Sequence, residues 1–202
     1  MGSSSDFAGA YGNDTLNVEA HDLVDISQNE LAVDAVSDDI HVVTEAAEGR
    51  QRQISATIRM PYSADQIWQI LTDYEHLADF IPNLATSRCL LQEEGRVRLE
   101  QIGTESLMRI KFCARVVLDM VEKFPHEIDF KMVEGDFKSF FGAWQLQPIG
   151  DGRMTELRYM LNVLPPRTMP IGLIERRMKQ NLATNLMAIR QRADELFGES
   201  AP

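Results

Sequence analysis

The sequence lacks several features that define common classes of protein. It has no run of about 18 consecutive apolar residues, which argues against a membrane-spanning helix. Its two cysteines, Cys89 and Cys113, fall in separate predicted strands without the spacing of a metal site, and both are expected to be reduced thiols. The histidines are equally scattered, at positions 21, 41, 76 and 126. The sequence therefore predicts no metal site and no cofactor.

Familiar catalytic motifs are missing as well. There is no nucleophile elbow, no phosphate-binding glycine loop and no pair of histidines at ligand spacing. The first residues, Met1 to Asp6, contain neither a basic region nor an apolar stretch, which argues against a secretory signal. A cytoplasmic location is expected, with peripheral contact with a membrane as an option.

Positive charge is absent from the first quarter of the chain. Residues 1–49 contain eleven acidic residues and no Lys or Arg, whereas the rest of the chain has 20 acidic and 20 basic residues. The net charge of −11 thus belongs to this segment, which is predicted to be a mostly disordered tail. Residues 40–44 are an exception, because they could pair with the first strand of the folded domain. The predicted division is a tail, residues 1–49, and a folded domain, residues 50–198.

A long amphipathic helix is predicted from Ile171 to Phe197, directly after a proline-rich segment at 164–170. Its apolar residues recur in steps of three or four: Ile171, Ile174, Met178, Leu182, Leu186, Ile189, Ala193 and Leu196. Such a helix spans roughly 40 Å and needs a large apolar partner. We expect a curved sheet that grips the helix and leaves a pocket where the helix fills it incompletely.

Helix and strand signals precede this helix in a defined order. Ser63 and Gln66 match a capping box, which begins the first of two short helices after the first strand. Seven segments read as strands, several with a clean alternation that gives the sheet one apolar face: 53–60, 86–91, 96–102, 107–121, 127–133, 138–147 and 155–163. The predicted fold class is α+β, with a curved antiparallel sheet of about six or seven strands around the C-terminal helix.

Two stretches carry a family resemblance. Residues 54–82, with Trp68 and the run DYEHLADFIP at 73–82, resemble the opening of the polyketide cyclase/dehydrase and lipid-transport family, within the START and birch-pollen-allergen-like (SRPBCC) superfamily. The run EIDFKMVEGDF at 127–137 is similar to the coenzyme Q-binding-like branch, especially to members from cyanobacteria and plastids. The resemblance covers about residues 51–197. It implies a helix-grip fold whose cavity, between the sheet and the C-terminal helix, holds a hydrophobic ligand.

Strand parity and the helix stripe together predict the residues of that pocket. Its apolar walls are predicted to be Phe112, Val116, Phe130, Met132, Phe140, Trp144, Tyr159, Leu161, Met178, Leu182 and Leu186. The alternative for each is a tightly packed core. Gln101, Glu134 and Tyr159 are polar residues in line with the apolar face, where they would orient a ligand. These three could equally be satisfied at the pocket mouth or by buried water, and Glu134 could face solvent.

Three functions remain open at this point. The favoured one is the binding or carriage of a prenylated quinone, an isoprenoid pigment or another lipid, with no catalytic residue. The second is a polyketide aromatase/cyclase, for which only Glu134, Tyr159 and Gln101 are placed to take part, and they form no unambiguous acid/base pair. The third is a ribosome-association factor, as in a bacterial branch with this fold. The domain lacks the basic patch typical of RNA-binding proteins, so no nucleic-acid partner is predicted.

The start of the long helix is the predicted portal of the pocket. Met169 and Ile171 are apolar, and Arg167 lies beside them. Apolar residues next to cations suit transient docking on an anionic bilayer. The alternative is that the apolar residues cap the core while the neighbouring cations pair with Glu175 or the acidic tail. No sequence pattern sets the oligomeric state.

Overall fold

The computed structural model describes residues 40–93, 96–107 and 110–198, apart from the side chains of residues 46, 105–107 and 110–112. Most of the predicted acidic tail lies outside these ranges.

An antiparallel sheet of eight strands makes up most of the described residues. In chain order the strands are β1 (Ile40–Ala46), β2 (Arg52–Met60), β3 (Leu84–Glu93), β4 (Arg96–Leu107), β5 (Ile110–Lys123), β6 (Glu127–Gly135), β7 (Ser139–Ile149) and β8 (Met154–Leu164). They lie in the order β1-β2-β8-β7-β6-β5-β4-β3, so β1 and β3 form the edges. The predicted α+β helix-grip class is confirmed.

The sheet begins earlier in the chain than the predicted domain boundary. β1 pairs with β2, with Val43 opposite Ser55, and the side chain of Ile40 is buried. This is the pairing expected of residues 40–44, and it accounts for the eighth strand. β4 also continues beyond its predicted end at residue 102, because Gly103 pairs with Leu84 on one side and Ala114 on the other. Ladder hydrogen bonds use only the backbone, so a glycine between two partner strands does not end a strand.

Two short helices follow β2, and the long helix closes the fold. They are α1 (Ala64–Thr72) and α2 (Leu77–Phe80), joined by a 3₁₀ turn at Tyr74–His76, and α3 (Ile171–Phe197) has the predicted bounds. The capping box is present, since the Ser63 hydroxyl accepts from the Gln66 amide at 3.3 Å and the Gln66 side chain accepts from the Ser63 amide at 2.9 Å. α1 buries four large apolar residues: Ile67, Trp68, Ile70 and Leu71.

Helix α3 packs on one side of the sheet, against β2, β1 and α1. Leu182, Leu186 and Ala193 are fully or almost fully buried, and each leucine contributes about 1.5–3 kcal/mol relative to an exposed one. Leu196, which the periodicity placed on the same buried stripe, is 50% exposed. The last turn of α3 is instead anchored through Phe197, whose ring lies 6.3 Å from that of Tyr62.

Candidate functional site

A cavity of about 310 Å³ lies between α3 and the face of strands β4 to β8 that α3 covers. Because the helix is seated mainly on β2 and β1, a gap remains between it and the strands farther along the sheet. The cavity occupies that gap and extends to the buried residues Leu71 and Tyr74 near the helical pair. The volume is at the lower end of the range typical of ligand pockets, about 300–1,000 Å³.

Nine of the residues predicted for the pocket line this cavity: Gln101, Val116, Phe130, Phe140, Trp144, Tyr159, Leu161, Met178 and Leu182. Leu186 does not, since it is completely buried in the core, and Met132 packs against the core outside the cavity lining. The side chain of Phe112 lies outside the part that the structure describes.

Glu134 lies on the opposite face of the sheet from the one that parity predicted. The pairing of β5 with β6 shifts register so that Val117 lies opposite Glu134 while Leu118 lies opposite Met132, which makes Val133 an extra residue in β6. A bulge of this kind reverses the side-chain parity beyond it. Glu134 is therefore turned outward, where it accepts a hydrogen bond from Arg115 Nη1 at 2.6 Å and is 69% exposed.

Five aromatic side chains form one wall of the cavity: Phe130, Phe137, Phe140, Trp144 and Tyr159. Trp144 and Tyr159 are direct cross-strand partners in β7 and β8, and their rings stack at 3.7 Å with an interplanar angle of 15°. Phe130 contacts Tyr159 edge-on at 6.0 Å. Gly142 makes room for Phe130, since a Cβ at this position would lie 2.6 Å from the end of the phenyl ring. The wall is thus formed by contacts between aromatic rings, and the missing side chain at Gly142 leaves space for them.

Tyr159 is the most deeply buried polar side chain of this wall, at 9% exposure. Its hydroxyl has no hydrogen-bond partner among the described residues, and burial alone raises the pKa of the phenol above its ordinary value. The phenol therefore stays protonated and able to donate. The indole of Trp144 is likewise without a hydrogen-bond partner in the described part of the chain, and it can only donate.

Helix α3 adds a polar row that the sequence analysis missed. Arg177, Asn181 and Asn185, spaced four residues apart, all line the cavity beside Met178 and Leu182. Each of the three precedes a residue of the apolar stripe by one position. This regular four-residue spacing could have identified them in the sequence as neighbours of the stripe. The row gives the helix side of the cavity two neutral carboxamide groups and one cation.

Acidic and strongly basic groups are scarce in the cavity. Among the described residues that line it there is no Asp, Glu, His or Lys, and Arg177 supplies the charged group. Gln101 is held by a polar chain, in which its amide donates to the Ser87 hydroxyl at 3.4 Å and that hydroxyl donates to the Tyr74 carbonyl at 2.6 Å. No cluster of three metal-binding side chains occurs within the described residues. The lining thus contains no carboxylate and imidazole arranged for acid–base catalysis.

The mouth of the cavity is marked by the lining residues that are exposed. They are Pro82, Asn83, Thr104, Cys113 and Pro170. The opening therefore lies between the segment after α2, the adjoining ends of β4 and β5, and the loop before α3. The turn between β3 and β4 contributes none of its described residues to the lining.

The predicted portal residues are distributed around this mouth. Met169 lines the cavity, whereas Ile171 is half-buried outside the lining and Arg167 is exposed. Sequence analysis did not predict the role of Arg50, which reaches from the β1–β2 turn to donate to the carbonyls of Pro166, at 3.1 Å, and Met169. This contact fixes the loop that precedes α3.

A family model described as polyketide cyclase/dehydrase and lipid transport matches residues 60–189, from the end of β2 into the C-terminal half of α3. The chain belongs to that family. The predicted START and SRPBCC superfamily is therefore confirmed, while the coenzyme Q-binding-like branch of cyanobacterial or plastid type stays a prediction.

Solved structures share the fold of this family member at low sequence identity. A STAR-related lipid transfer protein from Xanthomonas axonopodis has a TM-score of 0.67 and 18% identity, over 78% of this chain and 94% of its own. The Zhui aromatase/cyclase from Streptomyces has a TM-score of 0.65 and 15% identity, over 75% of this chain and 99% of its own. The same architecture thus occurs in a lipid transfer protein and in an enzyme.

A curated relative is the ribosome association toxin RatA of Escherichia coli, which is 29% identical over 97 residues. The match covers 48% of this chain and 59% of the relative, so the chain spans less than two thirds of the length of the curated proteins it resembles.

Across the described residues, no helix combines the length and the apolar character that crossing a membrane requires.

Proposed function

We propose that the domain binds and carries a hydrophobic small molecule, such as a prenylated quinone, an isoprenoid pigment or another lipid, in the cavity under α3. The observation that carries the proposal is a 310 Å³ cavity with predominantly apolar walls and no acidic side chain or histidine among its described lining residues. A ligand that buries about 300 Å² of apolar surface there would gain on the order of 7 kcal/mol before the cost of association. Binding therefore needs no dedicated chemistry.

A polyketide aromatase/cyclase is the second candidate, and it is supported by the likeness to the Zhui fold. Ring closure and dehydration need groups that transfer protons. Of the three residues considered for this role, Glu134 lies outside the cavity, and the phenol of Tyr159 has a raised pKa that makes it a poor base.

A ribosome-association role draws support from the partial match to RatA. Co-sedimentation of the full chain with ribosomal subunits tests it directly.

Tryptophan fluorescence offers a test of ligand binding. The chain has two tryptophans: Trp144 lines the cavity, and Trp68 lies outside the lining, with its ring 5.3 Å from Phe124. Titration with a short-chain prenylquinone should quench the emission saturably, and Trp144→Phe should remove most of the quenching. Saturable quenching that survives in Trp144→Phe would place the ligand elsewhere.

A cavity-filling variant provides the matched comparison. Ala114 lines the cavity near its mouth, so Ala114→Phe should reduce affinity for the quinone at least tenfold. Lys131→Phe introduces the same ring on an exposed position of β6 and should bind like the parent. Equal affinities for the two variants would contradict binding in this cavity.

The ligand is proposed to enter at a membrane surface through the mouth beside α3. Met169 lines the mouth, Ile171 follows it, and Arg167 has no ion-pair partner among the described residues. Lys179 is less available for contact with lipid head groups, because it forms an ion pair with Glu175 at 3.2 Å. Arg52 pairs with the same carboxylate at 2.9 Å. Each cation close to an anionic bilayer contributes about 1 kcal/mol.

Replacing Met169 and Ile171 with Asp should weaken binding to anionic liposomes and slow ligand transfer between vesicles. Met154→Asp makes the same chemical change at an exposed methionine at the far end of β8, and it should leave transfer unchanged. If the double variant transfers ligand as fast as the parent, this loop is not the portal.

A further inference from the structure

The stacked pair Trp144 and Tyr159 presents two hydrogen-bond donors with no acceptor in the described part of the protein. Both residues line the cavity, and Tyr159 is more than nine-tenths buried. Neither donor atom is sealed in the core, so water can accept from both while the cavity is empty. A ligand that fills the cavity displaces this water, and a donor left without an acceptor then costs free energy. A ligand that carries an acceptor of its own avoids that cost at this pair.

The acceptor belongs to an uncharged group. A carboxylate or phosphate at the β7–β8 wall would need a cationic partner, and the charged residue among the described lining residues, Arg177, lies on α3 instead. A cationic head group would need a carboxylate, and the described lining contains neither Asp nor Glu. The phenol of Tyr159 is itself neutral, because its burial keeps the proton bound. The described residues of this wall thus provide no charged partner for a fatty-acid anion or an amine.

The donors also favour a group that accepts hydrogen bonds. An indole N–H can only donate, and a protonated phenol can donate to the same kind of partner. The carboxamides of Asn181 and Asn185 both donate and accept, so they do not select between partners. The selective element is the pair on β7 and β8, and an oxygen that only accepts, as in a carbonyl group, suits both of its donors.

We propose that the ligand carries an uncharged carbonyl group and that Trp144 and Tyr159 donate hydrogen bonds to it inside the cavity. This inference rests on the proposed carrier function and narrows its ligand to ketones, quinones and esters with an apolar body. It separates them from plain hydrocarbons, which offer no acceptor, and from fatty-acid anions, which bring an unpaired charge.

Three probes of equal chain length test the proposal: tridecan-2-one, tridecane and tridecanoate. Each is used to displace the neutral fluorophore N-phenyl-1-naphthylamine from the full-length protein at pH 8. We expect the ketone to bind at least about fivefold more tightly than the alkane, as a hydrogen bond of ordinary strength allows, and the carboxylate to bind most weakly. A carboxylate that binds as tightly as the ketone, or a ketone that binds like the alkane, would overturn the proposal.

The variant Tyr159→Phe keeps the ring and its stacking while it removes the hydroxyl. It should bring the affinity for the ketone close to that for the alkane and leave the alkane affinity within twofold of the parent. Trp144→Phe removes the other donor and should lower the same ratio. Tyr62→Phe is the control, since the Tyr62 hydroxyl donates to Asp194 at 2.5 Å, away from the cavity lining.

The outcomes separate this inference from the proposed function. Loss of ketone preference in both cavity variants, with alkane binding retained, supports the carbonyl site. Binding of all three probes without preference overturns the carbonyl site and leaves the carrier function standing. Failure of the parent protein to bind the fluorophore or any probe overturns both.

Discussion

Replacing Gly142 with alanine should destabilise the domain, because the site has no space for a methyl group. A Cβ at this position would overlap the backbone carbonyl oxygen of Met160 in the neighbouring strand and would lie 2.6 Å from Cζ of Phe130. The phenyl ring can tilt, but the carbonyl belongs to the β7–β8 ladder and cannot move without breaking its pairing. The strain therefore falls on the sheet under the aromatic wall.

Overpacking of this kind typically costs about 1–3 kcal/mol. In a domain of this size each kcal/mol lowers the melting temperature by about 2–4 °C. Thermal unfolding followed by circular dichroism should therefore show Gly142→Ala melting about 2–12 °C below the parent. The variant should also bind the fluorophore more weakly, since Phe130 must shift within the cavity wall.

The control is Gly172→Ala, which makes the same substitution in the first turn of α3. A Cβ at Gly172 would have no neighbour within 4 Å, and alanine is favoured over glycine in a helix by about 0.5–1 kcal/mol. This variant should melt at or slightly above the parent temperature. If Gly142→Ala melts within 1 °C of the parent, the steric argument for this glycine is wrong.

Two further predictions concern stability. Burial raises the pKa of Tyr74 and Tyr159 above 10.0, and at Tyr74 the hydrogen bond to Glu122 adds to the shift. Above pH 10 the unfolded chain therefore loses protons that the native state keeps. The free energy of unfolding is unaffected below pH 10 and falls above it by up to about 1.4 kcal/mol per pH unit for each tyrosine. Urea titrations at pH 9 and 11 should show a smaller loss in Tyr74→Phe and Tyr159→Phe, and an unchanged loss would contradict the assignment. Deletion of residues 1–30 should leave the melting temperature unchanged. Deletion of residues 1–47 should lower it, because β1 and the buried Ile40 are lost from the sheet edge. A lower melting temperature after deletion of residues 1–30 would show that the tail is docked.

Local patterns were sufficient to predict the elements of this fold. The proline-rich segment and the periodicity after it placed both ends of α3, and the Ser63 capping box placed the start of α1. Strand alternation assigned most cavity residues to the correct face, since parity holds wherever a strand is regular. Gly103 shows where local patterns fail. A glycine predicts the end of a strand when the sequence is read locally, but Gly103 lies inside β4, between two partner strands.

The remaining features depend on contacts between distant parts of the chain. The bulge at Val133 is set by the pairing of β6 with β5, and no turn residue marks it, so Glu134 was assigned to the wrong face. The contact of Arg50 with the loop before α3 joins residues 116 positions apart in sequence. The position of the cavity depends on α3 packing over β1 and β2 rather than over the sheet centre. None of these is encoded in a short window of sequence.

Native mass spectrometry of the full-length chain purified from its source organism tests the carrier function most directly. We predict a fraction of the protein with the added mass of one apolar, uncharged molecule, which is released on unfolding and is missing from Ala114→Phe but retained in Lys131→Phe. Detection of the bare chain alone, together with no uptake of the neutral fluorophore by the refolded protein, would contradict the account.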